Sequence, residues 1–409
     1  MKKLVPPALT HRDFRIFWTG AVLSSLGSQF TIVAMAWQIY ELTGSPLQIG
    51  LLGLGRALPQ MALALYGGIL ADAIDRKRLM MVLQLAQCAI SAVLAGLTFA
   101  GLISPGALFT SAVLFAVATA LETPSRQAVV PNLVPVEDLG SAIALNTTQR
   151  SLANIIGPAL AGVALATGGP AWCYAVDAAS WFAMLGGLAL IRRSLQLAGG
   201  SVSIEAVREG VRFVLSQQVI LAFMILDFGA TFFGSPNALL PIYARDILAV
   251  GPVGLGILYA APSIGGLAGA IVMSTFATVE RVGRWVLIGV AFYGACTFGF
   301  AVSHTLWLST LMLAGAGAGN IVGAVLRGIT NQTLTPDQLR GRVAAVNSVF
   351  VMGGPQLGQF ESGAVAAVGG AQLSAATGGI GALLLTGAIA LMPKVRAFRL
   401  SRVEAPLPG

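Results

Sequence analysis

The chain has 409 residues, of which 56% are hydrophobic and only 10% charged, with a mean hydropathy of +0.82. Soluble domains carry ~25% charged residues, so the composition excludes a soluble globular protein. The formal net charge of +8 raises the question of a nucleic-acid partner, which the placement of the basic residues answers below.

A membrane-crossing helix needs ~20 mostly apolar residues. Polar, Gly and Pro breaks divide the sequence into twelve such spans, near 14–41, 46–72, 78–102, 104–128, 138–167, 170–192, 218–246, 252–279, 283–303, 305–332, 338–367 and 371–392. The runs are continuous rather than alternating, which excludes a β-barrel. The 50 glycines suit closely packed membrane helices. The apolar stretch after the basic N-terminus is full-length, so it reads as a span and not as a cleavable signal. Cys88, Cys173 and Cys296 fall singly inside apolar runs and read as small buried side chains. No metal-ligand spacing or phosphate loop is present, and neither a cofactor nor a catalytic centre is expected.

The basic residues set the direction. Lys2, Lys3, Arg12 and Arg15 precede the first span. Arg76, Lys77 and Arg78 follow the second, and Arg192, Arg193, Arg208 and Arg212 follow the sixth. Arg281, Arg284, Arg340, Arg342, Lys394, Arg396, Arg399 and Arg402 lie on the same side, as do Arg126 and Arg327 at span ends. Together these are 21 of the 24 basic residues. Basic loops stay cytoplasmic, so both termini are predicted inside. The charge is therefore topological, and no nucleic-acid partner is expected.

Residues 193–217 are the longest polar stretch. Ile204, Val207, Val211 and Val214 recur there at helical spacing, which predicts an amphipathic helix on the inner membrane face. The expected organisation is an N-terminal six-helix bundle (1–192), this cytoplasmic linker (193–217), and a C-terminal six-helix bundle with a short basic tail (218–409). A shift of 201 residues maps Arg126 to Arg327, Pro135 to Pro336, Gly140 to Gly341, Asn146 to Asn347, Gly157 to Gly358 and Gly162 to Gly363. Parallel repeats of this kind place a substrate site between the halves near the midplane.

Arg56 and Arg150 each lie about ten residues inside a span. A charge at that depth is costly and faces a protein interior or a wet cavity. Asn146, Arg150 and Asn154 share one helix face. Arg56, Gln29, Phe232, Asn320, Arg327 and Asn331 join them as candidate cavity residues. The forked donors of arginine suit carboxylate or catecholate-like oxygens. Arg150 could instead clamp a neighbouring carboxylate such as Asp227. Asp227 and then Glu122 are the candidate proton carriers, because the environment of a buried carboxylate governs its protonation.

The end of the second span reads Gly68-Ile69-Leu70-Ala71-Asp72-Ala73-Ile74-Asp75-Arg76-Lys77-Arg78. It resembles the loop motif of the major facilitator superfamily, with Ala73 where Arg is usual and Asp75 where Gly is common. Within that superfamily the chain is similar to the branch containing the enterobactin exporter. The similarity rests on His11-Arg12-Asp13-Phe14-Arg15, Glu41-Leu42-Thr43-Gly44-Ser45-Pro46, Pro131-Asn132-Leu133-Val134-Pro135, and Thr333-Leu334-Thr335-Pro336 with Leu339-Arg340-Gly341-Arg342.

The resemblance implies an all-α membrane protein of twelve helices in two pseudo-symmetric bundles, in the bacterial cytoplasmic (inner) membrane. It implies a monomer that exports a small molecule by alternating access, with protons as coupling ion. It also implies a gate formed by Gly68, Asp72, Arg76, Lys77, Arg78 and Arg342, in which Arg76 meets Glu122 and Asp72 faces the start of the eleventh span. Gly157-Pro158-Ala159-Leu160-Ala161-Gly162 resembles the superfamily's antiporter motif, so Gly157, Pro158 and Gly162 are expected to bend the fifth span. A siderophore or similar amphipathic anion is the expected substrate. A broad drug exporter, and a non-transporting membrane sensor or scaffold, are the alternatives.

Overall fold

The computed structural model describes the backbone of residues 6–73, 75–191, 204–275 and 280–399, and the side chains of the same ranges except 64–73 and 204–207. Every regular element among the described residues is helical. That is the expected solution in lipid, where each backbone N–H and C=O must be satisfied within its own segment. Eight described helices are long and apolar enough to cross a membrane, or nine if one sharply bent pair counts as a single span.

Helices α1 (Arg12–Thr43), α2 (Pro46–Ala73), α3 (Arg76–Phe99) and α4 (Pro105–Leu133) follow the predicted spans closely. Asp75 caps α3 by accepting a 3.0 Å hydrogen bond from the Arg78 backbone N–H. This gives a local reason for Asp where the motif usually has Gly, since a free N-terminal donor is satisfied.

Helix α5 (Leu139–Leu190) runs for 52 residues, more than twice what a bilayer core needs. It is broken at Gly169, which has φ 76° and ψ −178°, with Pro170 next. A positive φ is open to glycine, and proline cannot continue the hydrogen-bond ladder. The break separates the predicted spans 138–167 and 170–192.

The short α6 (Ile204–Ser216) meets α7 (Gln218–Phe233) at 102°. The predicted span 218–246 is interrupted, because α7 ends at Gly234 and Ser235-Pro236 follow. A one-turn α8 (Leu240–Ile242) and a wide turn, Tyr243–Ile247, complete that stretch. Helices α9 (Gly251–Thr275), α10 (Val282–Ala301) and α11 (Leu306–Leu334) come next. Helix α12 (Arg340–Ala390) has 51 residues and breaks at Gly370, φ 84° and ψ 163°. A final turn, α13 (Pro393–Arg396), ends the described chain.

Helix α6 lies on the start of α12. Val214 is buried with Ile220, Met224, Val343 and Val346, and Arg342 forms an ion pair with Glu209. The helix is therefore docked on the protein as well as amphipathic.

Two glycine crossings join the first part of the chain to the second. A Cβ added at Gly256 of α9 would lie 2.4 Å from the Pro158 carbonyl oxygen of α5, and one at Gly162 would lie 2.6 Å from that of Pro252. A Cβ at Gly363 of α12 would lie 2.7 Å from the Gly50 Cα of α2. Beside these crossings, the Tyr40 hydroxyl donates to Asp246, and the Arg245 guanidinium sits 5.4 Å from the Tyr40 ring centroid. Overpacking of this kind costs ~1–3 kcal/mol. Gly256→Val should therefore lower the unfolding midpoint of the detergent-solubilised protein by several degrees. Gly186→Ala, where an added Cβ meets nothing within 4 Å, should not. Equal midpoints for the two variants would show that the crossing tolerates bulk.

Candidate functional site

A cavity of about 340 Å³ lies among α1, α2, α3, α4, the second arm of α5 and α12. It is polar for its depth. Arg56 enters from α2, Glu122 and Arg126 from α4, and Asp177 from α5, while Gln356 and Gln359 of α12 close one wall. The Gln60 and Gln356 side chains are hydrogen-bonded across that wall. A second space of about 270 Å³ between α2, α4 and α12 shares Gln60, Thr119 and Thr123 with the first.

The charged groups differ in how they are held. Glu122 is 4% exposed and accepts 2.8 Å hydrogen bonds from the amides of Gln84 and Gln87 on α3. Asp177 is fully buried; its Oδ2 accepts from Thr31 at 2.7 Å and from Ser91 at 2.6 Å. Neither carboxylate forms an ion pair among the described residues. Arg126 donates to Ser25 at 3.3 Å, with Glu122 and Arg150 in electrostatic range. Arg56 donates to the Met35 sulfur at 3.4 Å and makes no ion pair among the described residues. An arginine held this way keeps most of its donors available.

Of the residues expected to line a cavity, Arg56 lies in this one. Gln29 donates to Asn154 at 3.0 Å, on the α5 face that also carries Asn146 and the exposed Arg150. Gly157 on that face admits Gln29, since its Cβ would fall 2.6 Å from Gln29 Cγ. On the C-terminal side, Asn331 donates to Asn347 at 3.4 Å, Asn320 is exposed, and Phe232 stacks on Phe228 with ring centroids 5.9 Å apart.

Asp227 pairs with Arg327 at 2.7 Å, with both side chains at most 8% exposed. The clamp considered between Arg150 and Asp227 is thus occupied by Arg327. Asp177 did not emerge from the sequence, although it is a lone acid in the apolar run 170–192 and the rule used for the arginines applies to it equally.

In the loop motif, Arg76 is buried, and Lys77 donates to the Ile191 carbonyl oxygen at 2.8 Å, satisfying a free acceptor at the end of α5. Arg340 pairs with Asp337 at 2.9 Å, while Arg342 pairs with Glu209. The surroundings of Gly68 and the side chain of Asp72, and hence the expected approach of Asp72 to α12, lie outside what is described.

A long helical chain built of membrane spans, bent at two glycines and enclosing a polar cavity, defines a multi-pass membrane protein. The chain belongs to the transmembrane secretion effector family, which matches residues 4–406. It is similar to the enterobactin exporter EntS of Escherichia coli O1:K1, with 28% identity over 95% of this chain and 94% of that protein. EntS of Shigella boydii serotype 18 matches to the same extent. Among solved structures, a bacterial homolog of the human lysosomal transporter Spinster, inward-facing and unoccupied, aligns with a TM-score of 0.75 at 15% identity. That alignment covers 98% of this chain and 100% of that one. The nucleoside transporter NupG aligns with a TM-score of 0.72 at 14% identity, covering 94% and 99%. The protein is a multi-pass component of the bacterial inner membrane.

Removing one partner of a buried ion pair costs ~3–5 kcal/mol, because the other charge is left uncompensated. Arg327→Met should therefore destabilise the protein strongly in thermal unfolding, and Arg327→Met/Asp227→Leu should recover most of the loss. A double variant as unstable as the single one would show that the pair is not the cause.

Proposed function

We propose that this protein is a proton-driven exporter that carries an oxygen-rich, anionic metabolite of the siderophore class out of the cytoplasm by alternating access. The observation that carries the reading is Arg56, a deep arginine in a cavity without a carboxylate partner among the described residues. Arg126, and Arg150 nearby, add positive charge against Glu122 and Asp177. A catecholate or carboxylate ligand supplies the paired acceptors that an arginine fork takes bidentately. The similarity to a protein named as an enterobactin exporter supports the same substrate class.

The architecture belongs to this proposal. Counting each broken helix, α5 and α12, as two spans and α7 with the short α8 as one gives twelve, arranged as six-helix bundles (1–192 and 218–409) around the linker (193–217) that holds α6. Both termini are assigned to the cytoplasm by the basic loops, and the working unit is a monomer. The crossings at Gly162/Gly256 and Gly50/Gly363, with Tyr40–Asp246 beside them, fit the outer side of an inward-facing state. In the outward-facing state, Asp72 with Arg76, Lys77, Arg78 and Arg342 would close the inner side, while Gly157, Pro158 and Gly162 let α5 bend.

Glu122 and Asp177 are the better proton carriers, ahead of Asp227. They face the cavity and form no ion pair among the described residues, whereas Asp227 is engaged by Arg327. A carboxylate held by neutral donors can exist as acid or anion as its surroundings dry and fill.

Two measurements test the reading. With enterobactin as probe, Arg56→Ala should weaken binding at least tenfold and Arg56→Lys should recover part of it. Undiminished binding, or preference for hydrophobic cations across a ligand panel, would favour broad drug efflux instead. In proteoliposomes under a pH gradient, Glu122→Gln or Asp177→Asn should abolish uphill transport while sparing downhill exchange. Concentrative transport intact in both variants would place the proton elsewhere.

A further inference from the structure

A third cavity, of about 750 Å³, shares no lining residue with the polar site and lies between α10, the end of α12 and the C-terminal tail. Its rim is cationic. Arg281 and Arg284 come from the start of α10, and Arg396 and Arg399 from the tail. The tail is fixed by its other face. Val395 is fully buried, Phe398 meets the ring of Phe223 edge-on at 6.4 Å, and the Gly283 N–H donates to the Phe398 carbonyl oxygen at 3.1 Å. With Val395 and Phe398 turned inward, the exposed Arg396 and Arg399 line the same cavity as the first turn of α10.

Away from the rim the cavity becomes an apolar groove. Leu287, Ile288 and Ala291 continue the Arg284 face of α10 at helical spacing, and Leu383 and Ala390 face them from α12. Gly387 forms part of the floor, and a Cβ added there meets nothing within 4 Å. No acidic side chain lines the cavity, and none of the four arginines forms an ion pair among the described residues, Glu280 next to Arg281 included.

A cationic rim at a helix end above an apolar groove between two membrane helices matches one kind of partner. We infer that this groove binds an anionic glycerophospholipid, with the phosphate on Arg281, Arg284, Arg396 and Arg399 and the acyl chains along Leu287, Ile288 and Leu383. A soluble anion would use the rim alone and gain nothing from the groove. A zwitterionic lipid would use the groove but bring its own cation to the rim. Four arginines exceed what one phosphate neutralises, so a head group with two phosphates, as in cardiolipin, fits best. The site requires only the membrane setting and is independent of what the polar cavity carries.

The test is native mass spectrometry of the full-length protein in non-ionic detergent, titrated separately with cardiolipin, phosphatidylglycerol and phosphatidylcholine. Cardiolipin and then phosphatidylglycerol should be retained at concentrations where phosphatidylcholine is lost. Each surface arginine contributes about fivefold to anionic-lipid affinity, so Arg284→Gln/Arg396→Gln should weaken retention by more than tenfold. Arg208→Gln/Arg212→Gln, which removes the same charge elsewhere, should leave it unchanged. Gly387→Leu keeps every arginine and fills the groove; it should also weaken retention, and it decides the matter even if the arginine variant misfolds. Equal retention of phosphatidylcholine would overturn the inference. So would full displacement by inorganic phosphate with Gly387→Leu inert, which would identify a soluble-anion site.

Discussion

The structure depends on backbones that touch. Lipid offers helices no hydrophobic gain from association, so close van der Waals approach carries much of the attraction. Gly162 against Gly256, and Gly363 against Gly50, bring helix backbones together where no Cβ fits. The sequence repeat runs through these contacts. Gly157 admits Gln29 of α1, and its repeat mate Gly358 lies against the Thr231 and Phe232 carbonyls of α7. Gly162 then meets α9, and its mate Gly363 meets α2. Each repeat therefore touches its own part of the chain with one glycine and the other part with the next, five residues on. The pairing is reciprocal, so a change at one crossing alone would unbalance the two.

Such contacts leave little freedom except in the polar residues they enclose. Where two helices must slide, polar side chains can exchange partners while the small-residue crossings stay in register. The crossings at Gly162/Gly256 and Gly50/Gly363 combine both kinds: glycine against backbone, with Tyr40, Arg245 and Asp246 alongside. The Gln60–Gln356 bond, between neutral amides, is a connection of the replaceable sort.

Much of the helical layout was legible in sequence, because lipid makes span length and punctuation strict. Gly169-Pro170 and Gly370 lie at the predicted joints, even though the helices run on through them with only one residue out of helical conformation. The seventh span differs from its sequence reading. The run 218–246 is mostly apolar, but its helix stops at Phe233, before Gly234-Ser235-Pro236, and hydropathy averaged over a span does not register so short a break. The site was less legible. The depth of Arg56 pointed to a cavity, yet the pairing of Asp227 with Arg327 joins residues 100 positions apart, and one-dimensional spacing does not contain it. Asp177 is not legible for another reason: it is the lone acid of its apolar run, and it is satisfied by the hydroxyls of Thr31 and Ser91 from two other helices.

Charge is held differently in the two repeats. Arg126 and Arg327 are equivalent under the 201-residue shift, but their partners are not: Arg126 donates to Ser25 of α1, which the shift maps to Leu226, and Arg327 donates to Asp227 of α7. Arg126 donates to a neutral hydroxyl with Glu122 in electrostatic range, whereas Arg327 forms a direct ion pair. The C-terminal arginine is thereby clasped, while the N-terminal one lines the cavity. The two repeat-related arginines thus differ in role: the carboxylate of Asp227 makes Arg327 a structural clasp, and Arg126 lines the cavity beside Glu122. Arg56 has no such clasp among the described residues and lines the same cavity as Arg126.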